Sequence, residues 1–158
     1  MKFFIYVTLL FASASISYAG QVLDVSSVGT GMQKTQAHVI GEGHVILQAL
    51  TEYQAFESAD PNSPLSSLSG DCFGAIEIVV NQATGGGNCI FGDGDGNATA
   101  TSWSVTGFGA NGSLMGTWSY VGGTGTFTGI TGGGTFDSVT DQATGMFSNQ
   151  ISGAAYLP

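Results

Sequence analysis

The sequence predicts an all-β domain, a sandwich or a barrel, and two observations lead there. About eight to ten short segments of strand character follow one another at regular spacing, separated by turn residues. Helix formers are scarce, with only two basic residues in 158. Glycine, threonine, serine, valine and phenylalanine dominate, a mixture suited to short strands and tight turns.

Taken in order, Gln21–Thr30 reads as a first strand, broken by Gly29-Thr30-Gly31. Gln36–Ile40 and His44–Phe56 follow, split by Gly41-Glu42-Gly43, a hairpin turn. Glu57–Ser69 carries two prolines and many serines and is the longest loop. Cys72–Val80 is a strongly β-branched strand, and Gly85-Gly86-Gly87 a turn or bulge. Asn88–Phe91 is a short strand ended by a hairpin turn at Asp93–Gly96. Thr99–Val105 and Ser113–Val121 flank the loop "GFGANG", and Phe147–Leu157 closes the chain.

Between the last two lies "GGTGTFTGITGGGTF", Gly122 to Phe136. It is no phosphate cradle, since no helical period follows and no lysine stands in the required place. It is not disordered either, because Phe127, Ile130 and Phe136 are spaced for burial. In a closed antiparallel sheet glycine permits bulges and sharp coiling while large side chains alternate inward. Two strands turning near Ile130–Gly134 fit this best. The Thr-Gly pairs recur at no constant interval, which excludes a solenoid.

Met1–Ala19 reads as a cleavable signal peptide, with Lys2 ahead of the apolar run Phe3–Ala12 and a small-x-small site at Ser17-Tyr18-Ala19. The run is shorter than the ~20 residues of a transmembrane helix. The expected product, residues 20–158, is one exported domain, secreted or periplasmic. Without Lys2 it carries Lys34 against eleven carboxylates, a net charge of −10, and no arginine. Nucleic acid needs cations to displace its counterions, so that partner is excluded, and an anionic membrane is disfavoured likewise. No membrane contact is expected after signal cleavage. Export and an even count favour a Cys72–Cys89 disulfide. A turn across Asn81–Gly87 would leave Cys89 opposite the far end of the preceding strand, beyond the ~7 Å Cα reach of the bond. The bond therefore needs an earlier turn or a bent strand.

Gly122-Gly123-x-Gly125-x-Phe127-x-Gly129-Ile130-x-Gly132 resembles the glycine-rich motif of the allene oxide cyclase and dirigent barrel superfamily. Trp118, Cys72 with "GGGNC" (Gly85 to Cys89) and the "DGDGN" turn at Asp93–Asn97 look like small exported bacterial proteins that share it. The likeness spans roughly Gly70 to Phe136, and weakly the final "GAAYLP". It implies a closed antiparallel β-barrel of about eight strands around a mostly apolar cavity. Some relatives are cyclases, others steer the coupling of bound radicals, and some assemble as trimers. Cyclase relatives use an acidic side chain inside the barrel, but none of their catalytic residues aligns here. The arginines of dirigent relatives have no counterpart.

Strand His44–Phe56 has two faces. Val45, Leu47, Ala49, Thr51, Tyr53 and Ala55 read as core. His44, Ile46, Gln48, Leu50, Glu52, Gln54 and Phe56 read as a solvent face, a homo-oligomer interface or a polar cavity lining. Glu77 shares a face with Phe73, Ala75 and Val79. A carboxylate desolvated in a barrel has its pKa raised and can act as general acid or base, which makes Glu77 and Glu52 the catalytic candidates. Tyr53, Trp103, Trp118, Tyr120 and Phe127 are the candidate cavity walls.

His38, Glu42 and His44 stand too far apart along a strand to share one ion. Asp93, Asp95 and Asn97 have the alternate oxygens of a calcium loop without its later glutamate, and a hairpin turn explains them. No metal or cofactor is expected. The leading expectation is a binding module for a small apolar molecule. The alternatives are a cyclase or isomerase using a buried carboxylate, and a structural protein with a packed barrel. The barrel interior separates the three.

Overall fold

The computed structural model describes residues 20–60 and 63–158; the signal-peptide expectation at Met1–Ala19 lies outside them. Nine strands are present among the described residues. They are β1 (Gln21–Asp24), β2 (Ser27–Gly41), β3 (His44–Ser58), β4 (Ser69–Val79), β5 (Gln82–Gly92), β6 (Ala98–Phe108), β7 (Leu114–Thr124), β8 (Thr131–Thr140) and β9 (Met146–Leu157). From β2 to β9 each strand pairs antiparallel with the next. β9 pairs back to β2, from Ser27↔Ile151 to Met32↔Met146. Eight strands thus close into a barrel, the expected architecture. β1 runs beside the far end of β9 as a continuation of β2. No helix among the described residues is long and apolar enough to cross a membrane.

The inward face follows from strand parity, with departures at bulges. On β3, Ala49, Tyr53 and Phe56 are buried. Tyr53 and Phe56 differ in parity, and the ladder explains how both face inward. Thr30 pairs with Ala55 and Gly31 with Tyr53, so Gln54 is an extra residue opposite a β2 step. One unpaired residue flips the alternation beyond it. The expectation for this strand therefore holds as far as Tyr53 and is corrected after it: Phe56 is core and Ala55 is exposed.

Three other expectations change. Gly29-Thr30-Gly31 does not break a strand; it lies inside β2. Gly85-Gly86-Gly87 is no turn, since the β4–β5 hairpin reverses at Val80-Asn81 and the glycines sit within β5. In the glycine-rich stretch the reversal comes early, at a 3-10 turn over Gly125–Phe127, and β8 begins at Thr131.

The interior is sealed at the end reached by the β3–β4, β5–β6 and β7–β8 connections. Leu65 and Leu68, on and beside the 3-10 turn Pro64–Ser67, pack there with Val25, Phe56, Phe91, Phe127 and Ile130. The Asp93–Asn97 turn at this end is held by its own side chains. Asp93 Oδ1 accepts from the Asp95 and Asn97 amides at 2.8 and 3.3 Å, and Asp93 Oδ2 accepts from Asn97 Nδ2 at 2.6 Å. These bonds hold the Asp93 carboxyl below its ordinary range, the Asn97 side chain first among them. That carboxylate is a turn cap, as the hairpin reading expected.

Candidate functional site: the barrel interior

One transverse row of paired positions explains most of the interior. Across β3 to β9 it reads Ala49, Gly74, Gly87, Trp103, Trp118, Gly134, Gly153, each in register with the next. Two tryptophans stand side by side with a pair of glycines beyond each. A Cβ on Gly74 would lie 2.5 Å from Trp103 Cζ2, and one on Gly87 would lie 2.7 Å from it. On the other side, a Cβ on Gly153 would lie 2.9 Å from Trp118 Cζ2. Any side chain there would occupy the place of an indole. The glycines let both rings lie flat along the inner wall, pointing away from each other, and the barrel centre stays open.

Gly87→Ala tests this packing directly. Its Cβ would also meet Gly74 Cα at 2.7 Å, within backbone that has little room to move. The substitution should destabilise the protein by ~1–3 kcal/mol, the usual cost of overpacking. A urea titration showing an unchanged midpoint would contradict the arrangement.

The cavity that remains is about 110 Å³ in volume. Its deep end is an aromatic cluster. Tyr53 stacks on Phe56 with centroids 5.2 Å apart and meets Phe147 and Phe91 edge-on at 4.6 and 5.4 Å. Asn149 Nδ2 donates to Tyr53 Oη at 2.6 Å. Burial pushes the Tyr53 hydroxyl up to about 12, opposed in part by that bond. Tyr120, edge-on to Trp118 at 5.2 Å, is likewise pushed by burial to about 12. Cys72 and Cys89, directly paired across β4 and β5, form a disulfide in the same wall. The earlier turn at Val80-Asn81 is what brings them opposite each other.

None of the residues lining the cavity is charged at neutral pH. Gln33, Thr51, Thr101, Ser138, Asn149 and the two tyrosines supply its polar atoms. Both indole Nε1 atoms and Asn149 Oδ1 are buried without a hydrogen-bond partner. Such groups cost ~1–3 kcal/mol each while unpaired.

Of the expected wall residues, Tyr53, Trp103, Trp118 and Tyr120 line the cavity. Phe127 does not; the 3-10 turn carries it into the sealed end, where it is buried core. The buried-carboxylate expectation is corrected. Glu77 and Glu52 are exposed on the outer wall, because the buried Cys72 and Ile76 put the even-numbered β4 positions inside and the buried Ala49 and Tyr53 put the odd-numbered β3 positions inside. Glu77 Oε1 lies 2.7 Å from His44 Nε2 across the outer β3–β4 surface. Among the described residues no group of three or more histidine, cysteine or acidic side chains is placed to hold a metal ion. Phe136, expected to be buried, also lines the cavity, as does Phe56 from the face left open between solvent and lining; sequence reasoning missed Phe91 and Asn149. Asn149 pairs with Gly29, itself opposite Phe56, and only closure of the barrel brings it to the Tyr53 hydroxyl.

No protein family's sequence pattern matches the chain, and no curated protein does. Among solved structures it is similar to one described as the pterocarpan synthase dirigent protein GePTS1. Identity is 11%, the TM-score 0.51, and the match covers 96% of this chain and 99% of that one. At that identity the likeness concerns the fold. The chain has the dirigent-like β-barrel fold that its glycine-rich motif resembles.

Proposed function

We propose that the protein is an exported acidic barrel that binds one small, uncharged, largely apolar molecule in its interior. The observation that carries this reading is the separation of charge. The inner wall is aromatic and aliphatic with a few neutral polar atoms, while Glu52, Glu77 and the Asp93 turn lie outside it. Apolar walls with a few convergent polar groups are what a small-molecule site consists of. A cavity of about 110 Å³ suits a ligand with one ring or a slender chain, near the size of the ~150 Å³ engineered cavity that takes benzene. An oxygen on that ligand would relieve an unpaired indole N–H after a small rotation of the ring.

Tyr53, Trp103, Trp118 and Tyr120 are the proposed contacts. The disulfide fits an oxidising compartment, which supports a secreted or periplasmic location. The likeness to a dirigent protein titled a pterocarpan synthase supports a related second role, in which the wall orients a reacting molecule. General acid–base catalysis by Glu77 or Glu52 has no support in the interior.

Native mass spectrometry of the protein from its own host tests the reading. A copurified lipophile should appear, and bromobenzene, a neutral one-ring probe, should bind the emptied protein. A reproducibly empty protein that also refuses bromobenzene would leave the packed, structural reading in its place.

A further inference from the structure

The two ends of the barrel differ. At the sealed end the side chains Phe56, Leu65, Phe91, Phe127 and Ile130 are buried. At the other, the lining side chains Gln33, Leu114, Phe136 and Ser138 are half-buried, so the cavity opens there. Four connections ring this mouth, namely β2–β3, β4–β5, β6–β7 and β8–β9. Exposed large apolar side chains stand in or beside each of them: Val39 and Ile40 near the end of β2, Val80 in the β4–β5 turn, Phe108 at the end of β6, and Val139 and Met146 on either side of the last. The Val80 amide donates to the Gly43 carbonyl at 2.6 Å and joins the first two turns into one ledge.

Val80 is an independent sign that the rim has a use. It is 71% exposed and has φ 59. A β-branched residue in the left-handed region is strained, and glycine takes that conformation freely. Valine there is unfavourable for both backbone and solvation, and strain of this kind clusters at functional sites.

We propose that the rim docks the barrel on an uncharged, zwitterionic lipid surface, across which the cavity takes up or delivers its ligand. The proposal rests on the binding reading above and adds the surface from which the ligand comes. Charge selects the occupant. Glu42 and Asp141 stand in the rim turns, and the Ala143 amide holds the Asp141 carboxyl below its ordinary range, so it stays ionised. Lys34, the single cation among the described residues, lies down β2 from the turn. A rim whose turns carry Glu42 and Asp141, with His38 and His44 beside them and neither lysine nor arginine, repels an anionic membrane and repels a second copy placed mouth to mouth. A phosphatidylcholine surface carries neither penalty. Apolar side chains in and beside the turns suit shallow insertion at a headgroup boundary. The acidity that argues against anionic membranes does not oppose this one.

Flotation with phosphatidylcholine vesicles provides the test. The protein should float with them, and at least several-fold less with vesicles containing phosphatidylserine. Ile40→Asp combined with Phe108→Asp should lower the bound fraction ~10-fold while bromobenzene binding inside the barrel is unchanged. Val80→Gly should raise the melting temperature and still weaken vesicle binding. Absence of flotation on phosphatidylcholine, or stronger flotation on phosphatidylserine, would overturn the proposal. A dimer in sedimentation that Ile40→Asp dissolves would overturn it in favour of a second copy. Vesicle binding without bromobenzene binding would keep the rim and remove the binding reading instead.

Discussion

Between pH 10 and pH 12 the barrel is expected to lose about 5 kcal/mol of stability, from Tyr53 and Tyr120 together. Both hydroxyls are raised from 10.0 to about 12 by burial. The sign follows from which state ionises first. Below pH 10 each tyrosine is neutral in the folded and unfolded chain, and the full contribution is present. Above pH 10 the unfolded chain releases its protons while the folded one keeps them, so stability falls by ~1.4 kcal/mol per unit for each group until pH 12. Small domains have ~5–15 kcal/mol in all, so a loss of this size is a large share of the total. Urea titrations at stepped pH measure it. Tyr120→Phe should remove about half of the slope, and a midpoint unchanged up to pH 11.5 would show that these hydroxyls are solvated. At the acid side Asp24, Asp93 and Asp141 act oppositely. Their lowered pKa values contribute stability that is lost as pH falls through the folded values.

Removing the disulfide should have the second-largest effect. Cys72 and Cys89 are separated by 17 in sequence, and closing a loop of that size is worth about 3 kcal/mol in the chain-entropy model. The paired variant Cys72→Ala, Cys89→Ala should lose about that much by chemical denaturation. It should keep the barrel, because ladder pairing between β4 and β5 extends well to either side of the bond. The loss should add to that of Gly87→Ala only in part, since both act on the same hairpin. A variant as stable as the parent would mean that the unfolded chain is already restrained there.

How much of this was legible in the sequence depends on how local each signal is. The strands and the Gly41–Gly43 turn follow from alternation and turn chemistry, both local. Tyr53 was placed inward correctly by period-2 reading of β3, and Phe56 was not, because a single bulge residue at Gln54 reverses the alternation. Glu77 failed for another reason. β4 has large apolar residues on both faces, Ile76 and Ile78 within, Phe73 and Val79 without. Composition cannot tell which face closes on the core; the cysteine pair could have done so, had the turn been placed at Val80-Asn81. Phe127 was read into a strand that the chain replaces with a 3-10 turn. The glycine runs were recognised as making room, but what they make room for stands on other strands. Trp103 reaches across β5 to β4, and Trp118 reaches β9. Such contacts exist only once the register is fixed.

The central claim is that both tryptophans, the only two in the chain, face a hollow that admits a small apolar molecule. Heavy-atom quenching of their emission is the most direct test. Bromobenzene should quench that emission to saturation, while iodide, confined to water, should leave most of it. Strong quenching by iodide with no saturable response to bromobenzene would place the indoles against solvent and contradict the account.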